Sequence, residues 1–177
     1  MAGGATNRRV RVELNVDLGE LPDEPKELYA IATTVNIACG GHAGDAASIK
    51  RALMLAAQSR AIVTAHPSYA DTQGFGRRAR FSAPGAVRDA VAQQCTRLCA
   101  LADELGIEVR SVKPHGALYH DASRDADYAA ALIDGCQQAM SDLETIVGFP
   151  ETALEDIVKA RGITFLAPRF ARLFAPG

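Results

Sequence analysis

Apolar and polar residues follow one another along this chain in short, recurring blocks. Val10 to Val16 alternates valine and leucine with charged or polar positions and then runs into Asp17, Gly19 and Pro22, which predicts a strand leaving into a loop. A second apolar stretch, Ala30 to Ala38, ends in Cys39, Gly40, Gly41 and His42. From Ala46 to Ser59 the residues Ile49, Ala52, Leu53, Ala56 and Ala57 recur at helical spacing behind Asp45, a predicted N-cap. Ala61 to Ala65 is a short apolar run closed by His66 and Pro67. Beyond a Gly- and Arg-rich loop a helix pattern fills Pro84 to Leu105, with Ser82 and Pro84 marking its start and Gly106 its stop. Ile107 to Val112 reads as a further strand ending in Lys113, Pro114, His115 and Gly116. A helix from Asp125 to Met140, a strand from Thr145 to Phe149, a helix from Glu151 to Lys159 and a strand from Ile163 to Ala167 complete the series.

About six strands and at least four helices in alternation predict a parallel α/β fold. After the first four strands the chain carries compact clusters of Asp, His, Lys, Asn and Gly. A (β/α) barrel opens all its strand C-termini onto one face, whereas an open sheet gathers ligands at a switch point, so the expectation is a barrel-like fold. Full barrels run to about 250 residues; at 177 residues the barrel is expected to be incomplete or C-terminally shortened. One domain over residues 10–177 behind a flexible 1–9 is the predicted organisation.

Composition narrows the class of function. Apolar residues make up 48% and charged residues 23%, enough to bury a core and unlike a disordered chain. A formal net charge of −2 gives no basic field for nucleic acid. The longest apolar run, near Ala52 to Ala57, falls far short of the roughly 20 residues that cross a bilayer. Residues 1–9 lack the apolar core of a secretory signal, so a cytoplasmic location is expected. Cys39, Cys95, Cys99 and Cys136 form no CxxC pair and read as reduced, mostly buried thiols.

The candidate chemistry lies at the strand ends. His42, His66 and His115 each follow a strand end directly or after a short Gly turn, a natural proton-transfer or metal set. Asn15 and Asp17 share one face of the first strand, with Glu20 just beyond. Should Asp17, His42 and His66 converge, they would make a first shell for Zn²⁺ or a similar ion. Lys113 and His115 flank Pro114 and are expected to point the same way, the lysine suited to a carbonyl or phosphoryl oxygen. Gln73 to Arg78 reads as a loop whose glycines expose backbone N–H groups and whose arginines suit a phosphate or carboxylate. Neither GxxxxGK[ST] nor GxGxxG occurs.

Four motifs, ELNVDLGE (Glu13 to Glu20), VNIACGGHAGD (Val35 to Asp45), AHPSYADTQGFGRR (Ala65 to Arg78) and VKPHGALY (Val112 to Tyr119), occur in an order and spacing that resemble the LamB/YcsF family of 5-oxoprolinase A subunits. The resemblance is strong from Val10 to Tyr119 and weaker from Asp121 to Phe170. It implies a barrel related to the polysaccharide-deacetylase type and a hydrolase that opens the lactam of 5-oxoproline (pyroglutamate) to L-glutamate, using ATP with Mg and the partner subunits B and C. Carried onto this sequence, Asp17, Lys113 and His115 are the candidate catalytic residues. Asn15, Glu20, Asn36, Asp45 and Arg77 are the candidate substrate-binding residues, and His42 and His66 the candidate ligands of a divalent metal such as Zn. Two departures stand out: Thr164 to Ala171 reads TFLAPRFA where the family commonly has an EVFADRAY-like stretch, and the 177 residues here fall short of the family's usual length, about that of a full barrel. The segment after Glu20 is also shorter than usual. Two other readings remain at this level, a metal-dependent amidase or deacetylase-like hydrolase that needs no ATP and a catalytically inactive scaffold. Exposed edges of a shortened barrel predict a homo-oligomer.

Overall fold

A computed structural model describes residues 13–79 and 82–168. In chain order the elements are β1 (Asn15–Leu18), α1 (Lys26–Ile31), β2 (Thr34–Ala38), α2 (Ala46–Ser59), β3 (Ile62–His66), α3 (Pro84–Asp103), β4 (Val109–Val112), α4 (Gly116–Arg124), α5 (Ala126–Ala139), β5 (Thr145–Val147), α6 (Ala153–Ala160) and β6 (Thr164–Leu166). Every adjacent pair of strands is parallel and the sheet order is β1-β2-β3-β4-β5-β6. Sequential order with no reversal excludes the doubly wound sheet, because that topology needs a switch point. The strands curl into a half-barrel with helices on its convex side, as the strand-end clusters predict.

Each strand offers one face to the helices and one to the hollow. Leu18, Val35, Ile37 and Ala65 pack outward into a core with Ile49, Leu53, Leu98, Leu118, Leu132 and Ile133, all essentially without solvent exposure. The inner face is mixed: Asn15, Thr34, Thr64, Ser111 and Thr145 line a hollow of about 370 Å³ together with Ile62, Val147 and Leu166. There the Thr64 and Ser111 hydroxyls bond each other at 2.7 Å. Helix α5 lies close against α3 at Gly135, where a Cβ would stand 2.5 Å from the Arg88 carbonyl oxygen.

Several boundaries depart from the sequence expectations. The first strand occupies Asn15–Leu18, shifted toward the loop from the expected Val10 to Val16, of which residues 10–12 lie outside the described residues, as do 1–9. The apolar block Ala30 to Ala38 divides into the end of α1 and β2, and the loop expected after Lys113 contains α4. Helix α3 starts at Pro84, but its N-cap is Ala83 without a side-chain bond; Ser82 instead accepts from the Tyr128 hydroxyl through its carbonyl at 2.9 Å. Asp45 caps α2 as predicted, its carboxylate accepting from Ser48 N–H while the Ser48 hydroxyl accepts from Asp45 N–H.

Candidate functional site

The C-terminal ends of β1 to β4 bring four donors together. Glu20, His42, His66 and His115 each contribute one ligand atom, and these atoms lie within 4.8 Å of one another. Glu20 Oε1 is 2.9 Å from His42 Nε2, 3.4 Å from His115 Nδ1 and 3.7 Å from His66 Nε2, and the last two nitrogens are 3.0 Å apart. The rings of His42 and His115 stack with centroids 3.7 Å apart, and His66 stands edge-on to both.

What surrounds the imidazoles decides which nitrogen faces inward. His66 Nδ1 lies 2.6 Å from the Lys113 carbonyl oxygen and His115 Nε2 lies 3.0 Å from that of Phe75; a carbonyl only accepts, so both nitrogens carry their proton. His42 Nδ1 lies 2.9 Å from Ser68 Oγ, whose own proton goes to the Tyr69 carbonyl, so His42 Nδ1 is also the donor. In the neutral rings the three remaining nitrogens, His42 Nε2, His66 Nε2 and His115 Nδ1, therefore point lone pairs at one another and at the Glu20 carboxylate. Four acceptors in contact repel unless a positive charge lies among them.

Protons are poorly held on His42 and His115. Burial lowers the basicity of His42, the Glu20 bond opposing it only in part. Burial, with the neighbouring His42 and His66, takes His115 down to about 4. Burial would raise the Glu20 carboxyl, but the His42 bond and the surrounding imidazoles outweigh it and keep it ionised. Imidazoles each anchored through the outer nitrogen, together with a carboxylate, form the donor set of a divalent transition-metal site. A tetrahedral ion with bonds of about 2.0–2.1 Å needs donors about 3.3 Å apart. The four separations that involve Glu20 or join His66 to His115 run from 2.9 to 3.7 Å, and every donor atom lies within 4.8 Å of the others.

Beside this cluster lies a second constellation. Asp17 Oδ1 accepts from Lys113 Nζ and from Asn36 Nδ2, both at 2.6 Å, and stands 3.5 Å from His66 Nε2. Asn36 Nδ2 also donates to Asn15 Oδ1. Burial pushes the Asp17 carboxyl upward, but His66 and Lys113 overcome it and hold the group far below the ordinary carboxylate range. Asp17, His66, Lys113, His115, Tyr119 and His120, with Phe149, line a cavity of about 210 Å³.

The structure thus sorts the residues singled out from sequence. The carboxylate that completes the imidazole set is Glu20; Asp17, expected there, is engaged by Lys113. His115 stands in the same set as His42 and His66. Lys113 and His115 do line one cavity, and Asn36, which also bonds Asn15, orients Asp17. Asp45 is occupied at the start of α2 and lines another cavity, of about 590 Å³, with Glu20, Glu24 and Arg51. Arg77 lies over the Phe75 ring at 5.4 Å, and Arg78 pairs with Asp71 at 2.6 Å. The thiols take no part: burial raises Cys39 well above its usual range and Cys99 up to about 12.

Other residues shape the site without a sequence signal of their own. Glu24 accepts from the backbone N–H of Gly19, Glu20 and Leu21 and from the Tyr29 hydroxyl, folding the turn that delivers Glu20. Gln94, on the buried face of α3, bonds Ser68 through both its N–H and its C=O, and so holds the residue that orients His42. A polar residue on an otherwise apolar helix face was the available clue.

The LamB/YcsF family profile matches residues 12–173. The chain is 38% identical over 166 residues to the 5-oxoprolinase A subunit of Streptomyces avermitilis, a match that covers 90% of this chain and 66% of the relative. It is 36% identical to the protein of the same description from Pyrococcus horikoshii, covering 92% of this chain and 65% of the relative. Among solved structures, the lactam utilization protein from Thermus thermophilus matches with a TM-score of 0.83 and 32% identity, over 89% of this chain and 66% of that one. The chain therefore spans just under two thirds of the length of these relatives.

Proposed function

The chain belongs to the LamB/YcsF family, and from that premise we propose that it acts as the A subunit of a 5-oxoprolinase, opening the 5-oxoproline lactam to L-glutamate. Three inward lone pairs converging on Glu20, beside the Asp17–Lys113 pair and a small cavity, carry this reading. Water adds across the lactam: the C–N bond breaks, the carbonyl carbon takes the hydroxyl and the ring nitrogen takes a proton. An amide is a poor electrophile, so ATP with Mg²⁺ phosphorylates its oxygen, giving ADP. Water then adds to the carbon, the ring nitrogen leaves with a proton to give an acyl phosphate, and a second water releases the phosphate to leave glutamate. ATP use and the partner subunits B and C are the roles the family implies.

Glu20, His42, His66 and His115 are the residues that would hold a divalent ion such as Zn²⁺, which when bound supplies a Lewis acid beside the cavity. Lys113 stabilises negative charge developing on the lactam or phosphoryl oxygen. Asp17 keeps that ammonium charged and aimed, and stands as the proton acceptor. Its basicity, held low by His66 and Lys113, rises when an incoming anion shares the lysine's charge. Asn36 donates to Asp17 and to Asn15, so it orients Asp17 while Asn15 steadies Asn36. We place the protein in the cytoplasm, as a homo-oligomer.

The test is glutamate release from 5-oxoproline by the full chain, alone and with subunits B and C, with and without ATP and Mg²⁺, alongside elemental analysis. Glutamate that needs ATP and the partners, and that Glu20→Gln abolishes, is the expected result. The four-donor set also suits an amidase that needs no ATP, and amide hydrolysis by the zinc-loaded chain alone would establish that second reading. Glutamate in no mixture overturns the first.

A further inference from the structure

Tyr119 is the unexplained polar group of the cavity. Its side chain is only 5% exposed, yet its hydroxyl has no hydrogen-bond partner among the described residues. A buried hydroxyl left without a partner keeps the full cost of its desolvation, so such a group in a ligand-sized cavity marks a contact that a ligand completes. The ring is held edge-on to Phe149 with centroids 4.3 Å apart, which fixes the direction of the hydroxyl. Burial and the nearby Asp17 charge hold the phenol well above its ordinary range, so it is a donor at neutral pH.

The donors and acceptors around the cavity are unevenly placed. The cluster side presents lone pairs and carboxylate oxygens, which repel an anion. Lys113 and Tyr119 line the cavity with Asp17, His66 and His115, Glu20 is not among its lining residues, and the Lys113 ammonium has given one of its three N–H groups to Asp17. From this asymmetry we propose that Tyr119 Oη and one N–H of Lys113 form the subsite for the carboxylate of the substrate, the lysine's third N–H being left for the lactam or phosphoryl oxygen. Tyr119 is thus a specificity-determining residue that separates 5-oxoproline from neutral lactams. The proposal rests on the 5-oxoprolinase reading above for the identity of the ligand.

Tyr119→Phe removes the hydroxyl alone and keeps the Phe149 contact, so no loss of thermal stability is expected, whereas a structural hydroxyl would lower the melting temperature. Binding of 5-oxoproline and of 2-pyrrolidinone, the same ring without its carboxylate, is measured by ligand-observed NMR on the full chain with zinc, alone and with the B and C subunits. The expected result is about tenfold weaker 5-oxoproline binding by the variant, with 2-pyrrolidinone unchanged. In the reconstituted assembly the same loss is expected in KM, with kcat little altered. Equal 5-oxoproline binding by both proteins overturns the proposal, and so does an equal loss for both ligands, which would put the hydroxyl on the lactam oxygen. If the wild-type protein binds 2-pyrrolidinone but not 5-oxoproline, the carboxylate subsite and the substrate assignment fall together. That outcome differs from a failure at Tyr119 alone.

Discussion

At the scale of single residues, the outer hydrogen bonds of the imidazoles matter as much as the inner nitrogens. Ser68 illustrates why: its hydroxyl donates to the Tyr69 carbonyl and can therefore only accept from His42 Nδ1, which leaves His42 Nε2 bare toward Glu20. Removing that acceptor frees the ring to rotate or to change tautomer, and both weaken it as a donor. Loss of such an outer partner costs about 10- to 100-fold in metal affinity. Ser68→Ala is expected to lower zinc affinity by that factor in a competition titration against a chromophoric chelator. Unchanged affinity would mean that Ser68 does not set the tautomer. The same logic explains why Lys113 acts twice, its carbonyl fixing His66 and its ammonium fixing Asp17.

Among the elements, α4 shows how two loops are locked over the site. Its first residue, Gly116, has φ +57° and lies so close to the Gly76 carbonyl that a Cβ would collide with that oxygen. The Ala117 N–H donates to the same carbonyl at 2.9 Å, so the loop carrying Phe75 is held against α4 and presents its own carbonyl to His115 Nε2. Gly116→Ala is expected to destabilise the protein by about 1–3 kcal/mol, read from chemical denaturation, and to weaken metal binding through His115. That helix was hidden in the sequence because Pro114 and Gly116 are turn signals, and α1 was hidden because six residues behind Pro25 carry too little periodicity. By contrast α2, with helical spacing, an Asx cap and fourteen residues, was legible to its ends. The histidines were legible because each follows a strand end, where a parallel α/β fold gathers its chemistry. The choice of Glu20 over Asp17 was not, since it depends on Glu24 folding the intervening turn, and no local pattern encodes that bend.

For the molecule as a whole, the candidate site is also a crosslink. Its four donors come from the ends of β1, β2, β3 and β4, which are separated along the chain but adjacent around the half-barrel. With neutral imidazoles, Asp17 and Glu20 against Lys113 leave the pocket net negative, so burying it empty works against the fold, and a divalent ion reverses that sign. An ion that binds the folded chain alone shifts the folding equilibrium by about 2.7 kcal/mol at about one hundred times its dissociation constant. In a domain of this size that is a rise of about 5–10 °C in melting temperature. Zinc at that excess should therefore raise the midpoint by this amount in a calorimetric scan, and a chelator should return it. Glu20→Gln should flatten the response, since the variant keeps three imidazoles but loses the charge on which they converge. The same reversal of sign makes the cavity receptive to an anion, so 5-oxoproline binding should weaken when the ion is stripped while the fold stays intact. A midpoint indifferent to zinc would show that the four loops are held by their own hydrogen bonds, and that the converging lone pairs are satisfied by a proton.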